Sequence, residues 1–357
     1  MNNIMEMDWY NKLLKIKDIK NALLDEESYK IFNARLGYTF TRNLENFERI
    51  VRDVNKEWRC LELEEKLQNQ DGKLIIYGCG SDGIAIKKVL GLCHIPLFAW
   101  CDREKSGQKI DNINVLSVEE CCENHQDAFI IIGSRKYRDE MYDILVKQEF
   151  PINNIIKPRH GLLVANCGNQ YFDVFSPVKD EIFIDAGSYD GDTLLEYIKW
   201  SGKNHKKAYC MELQSDMVEK IKHKIEVNDI PNICIENKAA WSKTEDLYFV
   251  ENDAGSGVRG AGKTYIKAID IDSMVGDDKV TFIKMDIEGA ELEALAGAQN
   301  TIKKHRPRLA ICIYHKPSDI VLIADYILSL NPDYKFIIRH YASNMWETVL
   351  YAIDNKK

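Results

Sequence analysis

Twice along the chain a short apolar run ends in a glycine-rich turn and passes into residues of helical spacing. Leu74-Ile75-Ile76-Tyr77 leads into Gly78-Cys79-Gly80-Ser81-Asp82-Gly83, and Ile182-Phe183-Ile184 leads into Asp185-Ala186-Gly187-Ser188-Tyr189-Asp190-Gly191-Asp192-Thr193. A strand covered on both faces reads as an unbroken apolar run, and parallel neighbours must be joined by crossovers, usually helices. Each run opens such a series. The first continues through strands at Pro96 to Trp100, Val115, Ala128 to Ile132 and Ile155-Ile156, with a helix through Tyr142 and Leu145. The second continues through strands at Ala208 to Met211, Ile233 to Ile235, Thr281 to Met285 and Leu309 to Tyr314. Helices are expected between them, at Thr193 to Trp200 and through Met217, Val218, Ile221 and Ile225. Tyr334 to Tyr341 and Glu347 to Ile353 are closely linked strands, which predicts an antiparallel hairpin at the sheet's edge.

The fold class expected is therefore α/β, with two doubly wound Rossmann-like domains plus an N-terminal helical segment. A length of 357 residues agrees with about two domains. The expected division is a helical segment over 1–70, a Rossmann-like nucleotide-binding-type module over 71–157, a Gly-, Asn- and Pro-containing linker over 158–180, and a second domain over 181–357. In the helical segment, Leu44, Phe47, Ile50, Val51, Val54, Trp58 and Leu61 recur at helical spacing after Thr41 and Asn43 as caps. An earlier helix begins near Asp25 with an acidic first turn. This segment carries no recognisable chemistry and is expected to serve packing or homodimer formation.

Composition excludes several classes. An apolar fraction of 45% supports sizeable cores, and a net charge of −8 argues against nucleic acid as the main partner. No apolar run is long enough to span a membrane, and Met1 to Lys12, with Glu6 and Asp8, lacks a secretory pattern. The chain has 10 cysteines but no Cys-x-x-Cys pair, and several sit in apolar runs, so a reducing, cytoplasmic setting is expected. Cys121-Cys122-x-x-His125 lacks a fourth ligand for zinc.

The chemistry concentrates in the second series. Its glycines let the backbone turn tightly at a strand's carboxyl end, and Glu212, at the tip of the next strand, can accept both hydroxyls of a ribose. Asp185, Asp190 and Asp192 would repel a pyrophosphate and suit a cationic group, such as the sulfonium and amino end of S-adenosylmethionine. The fourth strand reads Phe282-Ile-Lys284-Met-Asp286-Ile-Glu288-Gly289-Ala-Glu291, and Leu295-x-Gly297-Ala298 and Arg306-Pro307 follow. With Tyr171-Phe172-Asp173, Asn237-x-Ala239, Ile271-Asp272, Tyr314-His315, Arg339-His340-Tyr341 and Glu347-Thr-Val-Leu-Tyr351, this pattern over about 171–355 resembles FkbM-type methyltransferases. Where a Glu-Pro pair is usual, this chain has Glu212-Leu213-Gln214.

The resemblance implies a class I methyltransferase fold, S-adenosyl-L-methionine as cofactor, and a hydroxyl acceptor on a sugar, glycan or related metabolite. By position, Asp185, Gly187, Ser188, Tyr189, Gly191 and Thr193 would border the methionine end. Glu212 would hold the ribose, and Leu213, Asn237 and Ala239 would border the adenine. Asp286, Glu288 and His315 would face the transferring methyl, with His315 as general base for a weakly acidic hydroxyl. Asp286 and Glu288 with a histidine could alternatively hold a divalent ion. Oxygen sites need more donors than these, and no metal is assigned.

Two further motifs compete. Gly257-Val-Arg-Gly-Ala-Gly262-Lys263-Thr264 matches a phosphate loop, but Tyr265 to Asp272 alternates like a strand where a helix is required, so a hairpin is expected. Gly78-x-Gly80-x-x-Gly83 follows a strand, opens a helix, and has Asp102 near the tip of the next strand, which fits a dinucleotide fingerprint in context. The short module has room for one nucleotide half. It resembles the Rossmann-like modules attached to sugar-modifying enzymes, and a nucleotide or nucleotide-sugar is its expected ligand. The competing function is a nucleotide-sensing or scaffold protein whose methyltransferase-like half only binds.

Overall fold

The computed structural model describes residues 14–54, 58–59, 73–92, 95–134, 136–157, 165–166, 169–250, 257–258, 264–342 and 345–356. Two compact units divide the chain: residues 1–54 join 169–357, and 55–168 form the other. The boundaries thus fall away from those expected. Helices α1 (Glu26–Thr41) and α2 (Leu44–Val54) belong to the C-terminal unit. Asp25 caps α1 by accepting from Ser28 N at 2.7 Å, and Asn43 caps α2 by accepting from Asn46 N at 2.9 Å.

The unit of residues 55–168 contains β1 (Trp58–Arg59), β2 (Leu74–Tyr77), α3 (Ser81–Leu92), β3 (Ala99–Cys101), β4 (Lys109–Ile110) and β5 (Ile113–Leu116). It continues with α4 (Val118–Asn124), β6 (Phe129–Ile132), α5 (Arg138–Lys147), β7 (Ile155–Ile156) and β8 (Ala165–Asn166). Its six-stranded sheet runs β4-β5-β3-β2-β6-β7, parallel from β5 to β7. The expected helical run does not continue to Trp58, because Trp58–Arg59 pairs antiparallel with Ala165–Asn166. Leu61 lies outside the described residues. A two-residue pairing across a hundred positions leaves no local period to read.

The C-terminal unit adds β9 (Glu181–Ala186), α6 (Asp192–Ser201), β10 (His205–Met211), α7 (Ser215–Val227), β11 (Ile233–Glu236), β12 (Ala239–Ala240), β13 (Glu245–Val250), β14 (Gly257–Val258) and β15 (Thr264–Ile269). It ends with α8 (Ile271–Val275), β16 (Phe282–Met285), α9 (Glu291–Ala296), α10 (Gln299–His305), β17 (Arg308–Cys312), α11 (Asp319–Leu330), β18 (Tyr334–His340) and β19 (Thr348–Asp354). The main sheet has seven strands in the order β11-β10-β9-β16-β17-β19-β18, parallel except that β19 runs antiparallel to both its neighbours.

Alternating strand residues feed two cores. Ile182, Ile184 and Ala186 join residues of α1, α9, α10 and α11 on one face. Phe183 joins Leu194 of α6, Ile221 of α7 and the aromatic cluster Tyr171, Phe172 and Phe175 on the other. Residues 171–175, expected as linker, are therefore part of a core, and Tyr171 N donates to Tyr351 Oη at 2.9 Å.

β12 to β15 form a separate four-stranded sheet in which β13 and β15 are antiparallel. Lys263 lies outside the described residues, but Thr264 opens a strand where a phosphate loop opens a helix.

Candidate active site

The turn after β9 is shaped by what it must avoid. Gly187 has φ +80°, and a Cβ there would run into the Asp286 carbonyl oxygen, so only glycine lets this turn pass the end of β16. Gly187 N and Ser188 N donate to Met211 O at 3.0 and 3.1 Å, folding the turn over the end of β10. Glu212 secures the far side: Oε2 accepts from Tyr189 N and Oε1 from Gln214 N, both at 2.8 Å. The Leu213 N–H also acts on this carboxylate, so of its about four lone-pair directions about one remains. Burial pushes the Glu212 carboxyl above its ordinary range, against the pull of the backbone N–H groups. Asn237 Nδ2 donates to the carbonyls of Glu212 and Leu213 at 2.9 and 3.0 Å, joining the tips of β10 and β11. Thr193 is half-buried in the first turn of α6, and Ala239 pairs with Ala268 in the second sheet.

The three acids of the turn, expected to suit a cationic ligand, each have a cationic partner within the chain. Asp185 and Lys284 are register partners on β9 and β16, both fully buried, with Lys284 Nζ 2.8 Å from Asp185 Oδ1. Burial would lower the Lys284 pKa, but Asp185 and Asp286 outweigh it and hold the ammonium charged. Lys284 also donates to Gly187 O at 2.6 Å, tying the turn from beneath. Lys224 of α7 lies 3.2 Å from Asp190 Oδ2 and 2.7 Å from Asp192 Oδ1.

At the ends of β16 and β17 the expected catalytic residues come together. Tyr171 Oη donates to Asp286 Oδ2 and Tyr314 Oη to Asp286 Oδ1, each at 2.9 Å, so both carboxylate oxygens are held. His315 Nε2 lies 3.5 Å from Asp286 Oδ1 and 3.6 Å from Glu288 Oε2. Glu288 has φ +56°, a left-handed conformation unusual for a residue with a side chain, and burial pushes its carboxyl up. Burial alone would lower the His315 pKa; Glu291, Asp286 and Glu288 together raise it above the ordinary 6.5. Glu347, also with φ +61°, accepts from Gln170 Nε2 at 2.7 Å, and burial raises its carboxyl pKa. Tyr171, Lys284, Tyr314 and Glu347 were visible in the motifs, but no role could be read for them.

Asp286, Glu291 and His315 have side-chain atoms within 4.8 Å of one another, the one such grouping of His, Cys, Asp and Glu among the described residues. The imidazole separates the two carboxylates, with Nε2 toward Asp286 and Nδ1 toward Glu291. That arrangement favours an oriented histidine over a shared cation.

In the other unit, Gly78 has φ +110° and a Cβ on Gly83 would run into Gly78 O, so α3 packs against the turn after β2 only through glycine. Gly80 has nothing within 4 Å of an added Cβ. Asp102 Oδ2 accepts from Cys79 N at 2.9 Å, and Oδ1 from Glu104 N and Lys105 N at 2.9 and 3.2 Å. Its carboxylate therefore binds the chain's own turns.

Residues 185–339 match the model of the family described as the methyltransferase FkbM domain. This part of the chain is an FkbM-type methyltransferase domain, and the protein is a methyltransferase. A methyltransferase FkbM from Methylobacillus flagellatus is 18% identical, with 92% of this chain and 99% of that one covered at a TM-score of 0.49. An rRNA methylase from Streptococcus thermophilus is 16% identical over 50% of this chain and 88% of its own, at a TM-score of 0.34. A SAM-dependent methyltransferase from Aquifex aeolicus is also 16% identical, over 49% and 83%, at 0.31. No curated protein matches the sequence.

Proposed function

We propose that the protein transfers a methyl group from S-adenosyl-L-methionine to a hydroxyl of a sugar, glycan or related small metabolite. The observation that carries this reading is the imidazole of His315, with Nε2 beside the Asp286 and Glu288 carboxylates at the carboxyl edge of the sheet. The cofactor is supported by the donor set: Glu212 stands at the tip of β10 and keeps an acceptor direction for a ribose hydroxyl. Ser188, Tyr189, Gly191 and Thr193 would border its methionine end, and Leu213, Asn237 and Ala239 its adenine. Asp185 acts one step removed, through Lys284 and Gly187 O. When bound, the cofactor supplies an electrophilic methyl on a good leaving group.

The chain's own residues then position the acceptor and remove its proton. A sugar hydroxyl is a weak acid and gains from a nearby base. His315 Nε2 would take the proton, and Asp286 and Glu288 would stabilise the imidazolium. Incubation with methyl-deuterated cofactor and a panel of sugars, nucleotide-sugars and polyols should give a deuteromethyl ether detectable by mass spectrometry. Transfer only to nitrogen or carbon acceptors would contradict the reading.

The second unit is proposed to bind a nucleotide or nucleotide-sugar at the turn of Gly78, Gly80 and Gly83, with Asp102 bracing that turn. The open space at Gly80 supports it. A stabilising thermal shift with such ligands, lost in Gly80→Val, is expected; none with the wild type would point to a scaffold.

A further inference from the structure

Glu291 was part of the sequence motif but had no role of its own. It opens α9 and is only 1% exposed. Its Oε1 accepts from Ile287 N at 2.9 Å and Gly289 N at 3.3 Å, so the turn that carries Glu288 wraps around this carboxylate. The same Oε1 lies 3.0 Å from His315 Nδ1. Glu291 Oε2 and His315 Nδ1 are both buried without a hydrogen-bond partner among the described residues. A buried carboxylate with acceptor capacity to spare thus borders a ring nitrogen that still needs a partner.

We infer that Glu291 is a positioning residue that accepts the Nδ1 proton of His315, fixes the neutral tautomer and leaves the Nε2 lone pair facing the acceptor. A neutral imidazole carries one N–H and one lone pair, and the partner of one nitrogen decides the role of the other. With Nδ1–H committed to Glu291, Nε2 is the nitrogen that can receive a proton. In the proton step the acceptor O–H bond breaks as the Nε2–H bond forms, giving an imidazolium between Glu291 on one side and Asp286 and Glu288 on the other. The proton leaves to solvent afterwards. The ring's other neighbours are the Tyr314 ring, 4.1 Å away between centroids, and the acidic side chains of Asp319 and Glu347, whose charges also act near this site.

A structural duty is built into the same carboxylate. Glu291 shapes residues 287–289, where Glu288 has φ +56° and Gly289 φ +92°. Glutamine separates the two duties, because its carbonyl keeps an acceptor where Oε1 stands while its charge is gone.

This inference rests on the reading of His315 as the base. The test is chosen to be independent of turnover. Nitrogen-15 NMR of histidine-labelled full-length protein, with His315 assigned by loss of its signals in His315→Gln, reports tautomer and titration directly. The wild type should show neutral His315 protonated at Nδ1 and titrating above 6.5. In Glu291→Gln the midpoint should fall by about one pH unit or more, as expected when an opposite charge is removed from within hydrogen-bond distance. Calorimetric affinity for the cofactor should stay as it was. A wild-type imidazole protonated at Nε2 overturns the inference even if the variant fails to fold, and so does an unmoved midpoint in a folded variant. Broadening of the His315 signals by micromolar Mn²⁺ would overturn it in favour of a metal site. Failure of the cofactor to bind the wild type would instead overturn the methyltransfer reading, leaving the Glu291 result interpretable by itself.

Discussion

At the scale of single residues, two buried charges carry the argument. Lys284 and Asp185 lie side by side in the middle of the sheet, 2% and 0% exposed. Removing one partner of a buried pair leaves the other uncompensated and typically costs about 3–5 kcal/mol. Lys284→Met should therefore lower the stability of the C-terminal unit by that order in urea denaturation, and pairing it with Asp185→Asn should recover part of the loss. An additive double variant would contradict a coupled pair. His315 gives the second expectation. As a base it must be neutral, so turnover should rise with pH through a midpoint above 6.5, because its folded pKa is raised. Its effect on stability has the opposite sign. A raised folded pKa contributes stability that is complete below the unfolded value and lost as pH rises through the folded one. His315→Ala should keep cofactor affinity and lose roughly 10²- to 10⁴-fold in turnover. A pH–rate profile and calorimetry check both; normal turnover in the variant would place the base elsewhere.

Legibility at this scale was uneven. Glu212, Asp286, Glu288 and His315 sit at strand ends, where a motif and a fold class together specify position. Their partners could not be read, because Tyr171 reaches Asp286 across 115 residues and Gln170 reaches Glu347 across 177. Lys284 did leave a signal: a lysine inside the wholly buried strand Phe282–Met285 requires a counter-charge on a neighbouring strand.

At the scale of elements, strands and helices follow the apolar runs, while allegiance does not. The helix after Asp25 was legible from its acidic first turn, yet nothing local indicated that it packs on β18. There, Ile338 N donates to Ser28 Oγ at 2.8 Å, and Arg339 meets Asp25 with two contacts of 3.1 and 2.8 Å. Arg35, 2% exposed, donates to Thr348 Oγ1, and Thr39 Oγ1 donates to Pro317 O at 2.5 Å, two residues beyond His315. The helix thus braces the loop that follows β17. Phe32 is fully buried in the core shared with β9, β16 and α11. Phe32→Ala should cost about 3–5 kcal/mol in chemical denaturation of the C-terminal unit. A loss below about 1 kcal/mol would mean that α1 is an appendage.

At the scale of the molecule, an α/β architecture was legible because two series of apolar strands alternate with helices, but the boundaries were not. They depend on a two-residue strand pair, Trp58–Arg59 with Ala165–Asn166, and on aromatic residues 171–175 joining a distant core. Two units with separate cores should unfold separately. Gly83→Ala places a methyl against the Gly78 carbonyl and should destabilise only the unit of residues 55–168. Differential scanning calorimetry should then show one transition moved down and the other unchanged. A single transition moving as one would contradict independent units.

The measurement that bears most directly on the methyltransfer reading is calorimetric titration of the full chain with S-adenosyl-L-methionine and its demethylated product. Both should bind the wild type at one site per chain. A hydrogen bond to a charged group contributes about 1.5–3 kcal/mol, so Glu212→Ala should weaken both ligands at least about tenfold while remaining folded. No binding to the wild type, or unchanged affinity in the folded variant, would contradict the assignment of the cofactor to the carboxyl ends of β9, β10 and β16.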